Sequence, residues 1–76
     1  MNIEIIFEKE HNQAAAYLAH TLVGVCQFIE TEKGIWNIIH TKVDPACQGQ
    51  KIARKLVDTV ISEAQQENKQ LIADCS

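Results

Sequence analysis

Residues 49–68 form the longest amphipathic segment of the chain, and this segment constrains the fold more than any other feature. Aliphatic side chains recur along it at every fourth position: Ile52, Leu56, Val60 and Ala64. A neighbouring row is also apolar: Ala53, Val57 and Ile61. This spacing predicts one α-helix whose apolar stripe is wide enough to cover a sheet. Asn68 is the expected left-handed residue at its C-terminal end.

Residues 35–43 are the predicted central strand. Strict alternation puts one group of side chains on one face: Trp36, Ile38, His40 and Lys42. The other face carries the remaining positions: Ile35, Asn37, Ile39, Thr41 and Val43. Because both faces carry apolar residues, we expect the strand to be covered on both sides. Pro45 follows it and cannot donate to a strand ladder, so the strand ends before it.

Four further strands are predicted around these two elements. Residues 2–8 are an edge strand, 13–20 and 22–29 form a hairpin turning near His20 and Thr21, and 71–75 are a short buried strand. The alanines of residues 13–20 favour helix by propensity, but the segment is short and directly precedes a strand. The expected fold class is therefore α/β (α+β). Its mixed sheet has antiparallel N-terminal strands, followed by a right-handed strand–helix–strand crossover that gives a parallel pair.

Length and composition exclude several classes of protein. The 76 residues suit one domain, spanning 1–76. A net charge of -3 argues against a nucleic-acid binder. No apolar stretch approaches a membrane span and the N-terminus does not resemble a signal peptide, so we expect a cytoplasmic protein. The wide spacing of the cysteines and histidines predicts neither a disulfide framework nor a metal site.

The step from strand to helix between Val43 and Ile52 is the segment most suited to binding an anion. The first turn of a helix leaves N–H groups unpaired, and the helix dipole adds partial positive charge there, so a phosphate binds without needing a basic side chain. Gly49 is small, and Lys51 and Arg54 add positive charge. Glycine also occurs at such positions simply to make a turn, so the spacing alone leaves both explanations open.

A resemblance narrows the choice. Residues 48–53 resemble the pyrophosphate-binding motif of the GCN5-related N-acetyltransferase (GNAT) superfamily, which reads Gln/Arg-x-x-Gly-x-Gly/Ala. Gln48 matches the first position and Ala53 the last, whereas Lys51 stands where glycine is usual.

Further matches extend the resemblance over residues 14–76. The segments His40-Thr41-x-Val43, Lys55-Leu-Val57 and Ile72-x-x-Cys75-Ser76 are similar to those of a group of very small, single-domain acetyltransferase-like proteins. That group continues beyond the cysteine with a helical segment, so we expect this chain to be shortened at its C-terminus.

The resemblance implies a cofactor, a reaction and a set of binding residues. The cofactor is acetyl-CoA, and the reaction transfers its acetyl group to an unidentified primary amine on a small molecule or peptide. Loop amides would bind the pyrophosphate of CoA, and the pantetheine would run along the end of the central strand. The implied cofactor-binding residues are Thr41, Val43, Gln48, Gly49, Gln50, Lys51, Ile52, Ala53 and Arg54.

Two residues are candidates for catalysis. Cys75 occupies the position of the suspected catalytic cysteine in that group, where it would accept the acetyl group or transfer a proton; the alternative is a small buried hydrophobe. His40 is either a general base or a hydrogen-bonded core histidine. The alternative function is a non-catalytic acetyl-CoA-binding module or a truncated interaction protein. An exposed sheet edge also leaves a homodimer open.

Overall fold

The computed structural model describes residues 2–49 and 51–73. Their order is β1 (Ile3–Glu8), β2 (Gln13–Leu18), β3 (Thr21–Glu32), β4 (Ile35–Val43), α1 (Ile52–Gln66) and β5 (Gln70–Ala73). Two short 3₁₀ turns, Lys9–His11 and Pro45–Cys47, join β1 to β2 and lead from β4 towards α1.

The strands form one five-stranded sheet in the order β1-β2-β3-β4-β5. The first four pair antiparallel, and β5 returns beside β4 as its parallel neighbour. This arrangement confirms the predicted mixed sheet. The bounds of β4 agree with the prediction, and the β2–β3 hairpin turns at Ala19 and His20.

Helix α1 lies across one face of the sheet and closes the core. The predicted stripe is buried along its whole length: Ile52, Leu56, Val60 and Ala64. The second predicted row is less buried, since Ala53 is exposed and Val57 and Ile61 are only partly covered. Phe28 and Trp36 stack beneath the helix with ring centroids 4.2 Å apart.

The helix is shorter than predicted at both ends for a backbone reason. Gly49 and Lys51 have φ of +89° and +57°, which lies outside the helical region, so α1 begins at Ile52. At the other end Asn68 has φ of +58°, as its sequence position predicted. The Lys69 amide donates to the Ala64 carbonyl at 2.7 Å and completes a Schellman-type end.

A β-bulge interrupts β4 near Ile39. Cys26 of β3 pairs with Thr41 of β4, and Phe28 pairs with Ile38. The two residues of β3 are two positions apart, whereas their partners on β4 are three positions apart. One residue more on β4 than on β3 therefore lies between the two pairs, which is the definition of a bulge.

The bulge reverses the alternation of side chains in the second half of β4. Thr41 and Val43 lie on the α1 side with Ile38, because Val43 packs against the core and the Thr41 hydroxyl donates to the sulfur of a core cysteine at 3.5 Å. His40 and Lys42 therefore face the opposite way. The prediction that grouped these two residues with Ile38 is wrong, because strict alternation takes no account of an inserted residue.

The sheet face turned away from α1 is called the open face. Large apolar side chains are exposed on it: Ile6, Leu22, Ile29 and Ile72. The expectation that β4 is covered on both sides is therefore wrong: Trp36, Asn37 and Ile38 are buried, but Ile39 and His40 are exposed. The expectation of a buried final strand is also wrong for the described part of β5, where only Leu71 packs against the core. Within the described residues, no helix has the length and apolar character needed to cross a membrane.

Candidate functional site

The loop after β4 is held in place by Asp44. Its amide donates to the Val23 carbonyl at 2.7 Å, which ties the loop to β3. Its side-chain Oδ1 accepts from the Ala46 amide at 2.9 Å and caps the 3₁₀ turn that begins at Pro45. The end of β4 and the approach to α1 are therefore fixed by local hydrogen bonds.

Two left-handed residues then direct the chain into α1. Gly49 adopts its φ of +89° without a steric penalty because it has no Cβ. Lys51 adopts φ of +57° as the residue that precedes the helix, although it carries a Cβ. Lys51 makes no capping side-chain hydrogen bond and the first turn holds no acidic residue. The unpaired N–H groups and the positive dipole end of α1 are therefore available to a ligand.

A small pocket lies against this loop. Its volume is about 110 Å³, and its lining is formed by Val43, Cys47, Gln48, Gly49, Lys51, Ile52 and Ala53. Six of these seven residues belong to the cofactor-binding set predicted from the sequence. Cys47, which is buried, is the addition.

A second and larger pocket is lined by residues of β4, α1 and the end of the described part of β5. Its volume is about 540 Å³, and its lining is formed by Ile38, Thr41, Ala53, Arg54, Val57, Asp58 and Ala73. The described β4–β5 pairing reaches Ile38 and Ala73, so the rest of β4 extends past the last described pair. Ala53 lines both pockets, so the two are neighbours.

The predicted site residues are divided by the fold. Most of the cofactor-binding set lines the two pockets on the α1 side of β4. His40 instead lies exposed on the open face, directly opposite Gln27 of β3. Gln50 and Cys75 lie outside the described residues. A role for His40 in a core hydrogen-bond network is wrong, because its side chain is exposed.

Sequence reasoning missed two residues of α1 that line the larger pocket. Val57 and Asp58 line it, and they follow Ala53 and Arg54 by one helical turn, so the helical period was the signal that would have found them. The Nε of Arg54 and the Oδ2 of Asp58 lie 3.9 Å apart, but both side chains are mostly exposed. This ion pair therefore contributes little to stability, and Arg54 can contact a ligand instead.

A polar row crosses the open face level with His40. Gln27 donates to Gln13 at 3.2 Å, Gln13 donates to Glu8 at 2.7 Å, and the Tyr17 hydroxyl donates to Glu8 at 2.6 Å. The hydrogen bond from Tyr17, followed by that from Gln13, holds the pKa of Glu8 below its usual range. The same hydrogen bond, in which Glu8 is the acceptor, raises the pKa of Tyr17. Glu8 is thus an ionised residue with its oxygens already engaged.

The sequence profile described as GCN5-related N-acetyl-transferase matches residues 7–76 of the chain. The chain belongs to the GCN5-related N-acetyltransferase family. A comparison with curated protein sequences gave no match.

Solved structures of GNAT proteins have the same fold. A GCN5-like protein from Staphylococcus aureus superposes with a TM-score of 0.75 at 26% identity, covering 99% of this chain and 72% of that one. Rv2747 from Mycobacterium tuberculosis, in complex with CoA, gives a TM-score of 0.73 at 22% identity over 86% of this chain and 43% of that one. A ribosomal-protein-alanine N-acetyltransferase from Brucella melitensis gives a TM-score of 0.71 at 23% identity, covering 84% of this chain and 51% of that one. The chain thus spans about half or less of the length of the latter two proteins.

Proposed function

We propose that this GNAT-family chain binds acetyl-CoA and transfers the acetyl group to a primary amine. The observation that carries the proposal is the contiguity of the two pockets at Ala53. The loop pocket offers helix-start amides to a diphosphate, and the neighbouring pocket, between β4 and α1, offers a further volume of about 540 Å³. An extended molecule with a diphosphate at one end matches this pair of pockets.

The proposed contacts follow from the chemistry of each segment. Backbone amides around Gly49 and at the start of α1 would bind the pyrophosphate, since they have no intrahelical partner. Lys51 and Arg54 would add positive charge. Thr41 would line the pantetheine path, because the bulge turns it towards α1. Gln50, between Gly49 and Lys51, is proposed as part of the same set. The binding of CoA by the structurally similar Rv2747 supports the assignment.

Acetyl transfer requires a base as well as a binding site. The amine nitrogen attacks the thioester carbonyl, the carbon–sulfur bond breaks, CoA leaves as the thiol, and the amine loses a proton. His40 is proposed to take that proton, because an imidazole is the commonest general base in enzymes and this one is exposed to solvent. Cys75 is proposed to assist, either by accepting the acetyl group or by moving a proton.

A non-catalytic acetyl-CoA-binding module is the second candidate. The position of His40 outside both pockets favours it, because a base must approach the reacting amine closely. The two candidates predict the same affinity for the cofactor but different turnover.

Calorimetry with acetyl-CoA and chromatographic detection of released CoA separate these candidates. Binding with release that depends on an added amine supports the enzyme, whereas binding without release from any amine in a broad panel supports the module. If the chain does not bind acetyl-CoA at all, both candidates are wrong.

A further inference from the structure

The larger pocket has a mostly apolar lining with a few polar side chains. The apolar part is formed by Ile38, Ala53, Val57 and Ala73. The polar side chains are Thr41 on β4 and Arg54 and Asp58 on α1. A guanidinium can only donate hydrogen bonds and an ionised carboxylate can only accept them, whereas a hydroxyl can do either. What Thr41 offers to a ligand therefore depends on where its single proton points.

The hydroxyl proton of Thr41 points into the core. Thr41 is the direct cross-strand partner of Cys26 on β3, and its Oγ1 donates to the Cys26 sulfur at 3.5 Å. Cys26 is completely buried in the hydrophobic core. A hydroxyl has one proton and two acceptor lone pairs, so it cannot donate to the sulfur and to a ligand at the same time. The acceptor side of the hydroxyl is thus what remains for the pocket.

The strand keeps the Thr41 side chain in this orientation. The residue is β-branched, so its χ1 angle is restricted, and pairing with β3 fixes its backbone next to Cys26. A ligand carbonyl could receive the proton only if the bond to the sulfur were broken first. A ligand N–H can be accepted with that bond intact. Thr41 therefore favours a ligand group that donates a hydrogen bond.

Asp58 is the other acceptor in the lining, but it is the weaker one. Its side chain is 63% exposed and lies close to Arg54. An exposed carboxylate is already hydrogen-bonded to water, so exchanging that water for a ligand N–H gains little. Thr41 is partly buried on the floor of the pocket. A ligand N–H that enters the pocket thus gains more from Thr41 than from Asp58.

We infer that Thr41 accepts a hydrogen bond from an amide N–H of the bound cofactor, and that Cys26 is a positioning residue that holds the Thr41 hydroxyl as an acceptor. The inference rests on the proposed function, because the pantetheine arm of acetyl-CoA supplies two secondary amides. An ester in place of the contacted amide brings an oxygen against the lone pairs of Thr41. The pocket therefore distinguishes an amide from an ester at this point of the cofactor.

Calorimetry with three ligands tests the contact. The ligands are CoA and two analogues, each with an ester oxygen in place of one of the two amide N–H groups. We expect the chain to bind one analogue at least about fivefold more weakly than CoA. Thr41→Val keeps the shape of the side chain but removes the acceptor, so its preference for CoA over that analogue should fall to within about twofold. Thr41→Ser retains the hydroxyl and should preserve the preference.

Thr59→Val is the matched control for the loss of a threonine hydroxyl. Thr59 donates to the Lys55 carbonyl within α1 and lies outside this pocket. Its replacement should leave the preference for CoA over the ester analogue unchanged. A change in affinity that is common to all three ligands would reflect the fold rather than the contact, so the ratio of affinities is the quantity that is compared.

Cys26→Ala and Cys26→Val test the positioning role. Neither side chain can accept the Thr41 proton, so the hydroxyl is released and can donate to the ester analogue. Both variants should therefore bind CoA and the analogue within about twofold of each other. If Cys26 acts only through packing, Cys26→Val, which fills the space of the thiol, should keep the preference of the unmodified chain. Backbone amide spectra by NMR show whether each variant is folded.

The outcomes separate this inference from the proposed function. Equal affinity for CoA and both analogues, or a preference that persists in Thr41→Val, overturns the Thr41 contact while the binding of CoA stands. A preference that persists in Cys26→Val overturns the positioning role of Cys26. If the unmodified chain does not bind CoA, the proposed function fails and the Thr41 contact fails with it.

Discussion

Gly34 and Gly49 share one left-handed backbone conformation, with φ of +87° and +89°, and a Cβ at either position would meet no atom within 4 Å. Gly34 closes the β3–β4 hairpin, whereas Gly49 lies in the loop before α1. The two glycines therefore impose the same backbone demand in two different chemical settings.

Gly49→Asp is expected to weaken acetyl-CoA binding by more than about tenfold, because like charges brought together at a binding surface cost several kcal/mol. Gly34→Asp should be destabilised as much as Gly49→Asp, by about 1 kcal/mol, because both place a Cβ on a left-handed backbone, but it should bind the cofactor normally. Calorimetry measures the affinities and urea unfolding the stabilities. Gly49→Asn, which has the same size without the charge, should retain most of the affinity. Normal binding by Gly49→Asp would reject the loop as the diphosphate site.

Lys51→Gly is expected to stabilise the fold by about 0.5–1 kcal/mol, because glycine adopts the left-handed conformation of this position without a Cβ penalty. The same variant should bind acetyl-CoA less tightly, since it removes a cation from the pocket. Asn68→Gly is the matched control: its φ is +58°, but asparagine tolerates this region, so the gain should be smaller. A midpoint of thermal unfolding unchanged by Lys51→Gly would contradict the assigned backbone cost.

His40→Gln is expected to lower amine-dependent CoA release by about 100-fold or more, because it removes a general base, and to leave acetyl-CoA affinity unchanged. His20→Gln, in the exposed β2–β3 turn, should change neither the rate of CoA release nor the affinity for acetyl-CoA. Steady-state kinetics and calorimetry provide the two measurements. Undiminished release by His40→Gln would mean that the proton goes to another group.

Cys75→Ala is expected to retain cofactor binding and to lower acetyl transfer, because the thiol is proposed to act in the reaction. Single-turnover measurements with acetyl-CoA would detect an acetylated cysteine by mass spectrometry if the thiol accepts the acetyl group. Full turnover by Cys75→Ala would assign this residue to packing instead.

Tyr17→Phe is expected to destabilise the fold at neutral pH and to do so less at low pH. The Tyr17 hydroxyl donates to Glu8 at 2.6 Å and is the largest cause of the lowered pKa of that carboxyl. A carboxyl whose pKa is lowered by folding adds stability above its usual value of 4.5, and this stability is lost as the pH falls through the folded-state pKa. Urea unfolding of both proteins at pH 7 and pH 3 measures the difference.

Thr59→Val is the control for this pH effect. The Thr59 hydroxyl donates to the Lys55 carbonyl at 2.8 Å, so its loss removes a hydrogen bond that does not titrate. Its cost should be the same at both pH values. A cost of Tyr17→Phe that is equally constant would show that the hydroxyl does not stabilise the ionised form of Glu8.

The sequence predicted those parts of the fold that depend on regular periods. Four-residue spacing identified the buried stripe of α1, and Pro45 predicted the end of β4 at Val43. Asn68 was recognisable as a helix end because asparagine tolerates a left-handed backbone. These features follow from local chemistry, which a sequence carries directly.

The departures occurred where the backbone is irregular. Nothing in the side chains of Ile39 or His40 signals an inserted residue in β4, so alternation placed His40 on the wrong face. Lysine is not a marker of left-handed backbone, so the helix was expected to start before Lys51 rather than after it. The place of Lys42 on the open face depends on the bulge, which no short motif encodes.

The bulge gives β4 two sides that can be altered independently. Substitutions at His40 and Lys42 change what approaches from the open face, while Thr41 and Val43 keep their places beneath α1. Under the proposed function, related chains can therefore come to prefer different amines without losing affinity for acetyl-CoA. A single extra residue in one strand makes that freedom available to a domain with only one helix in its described part.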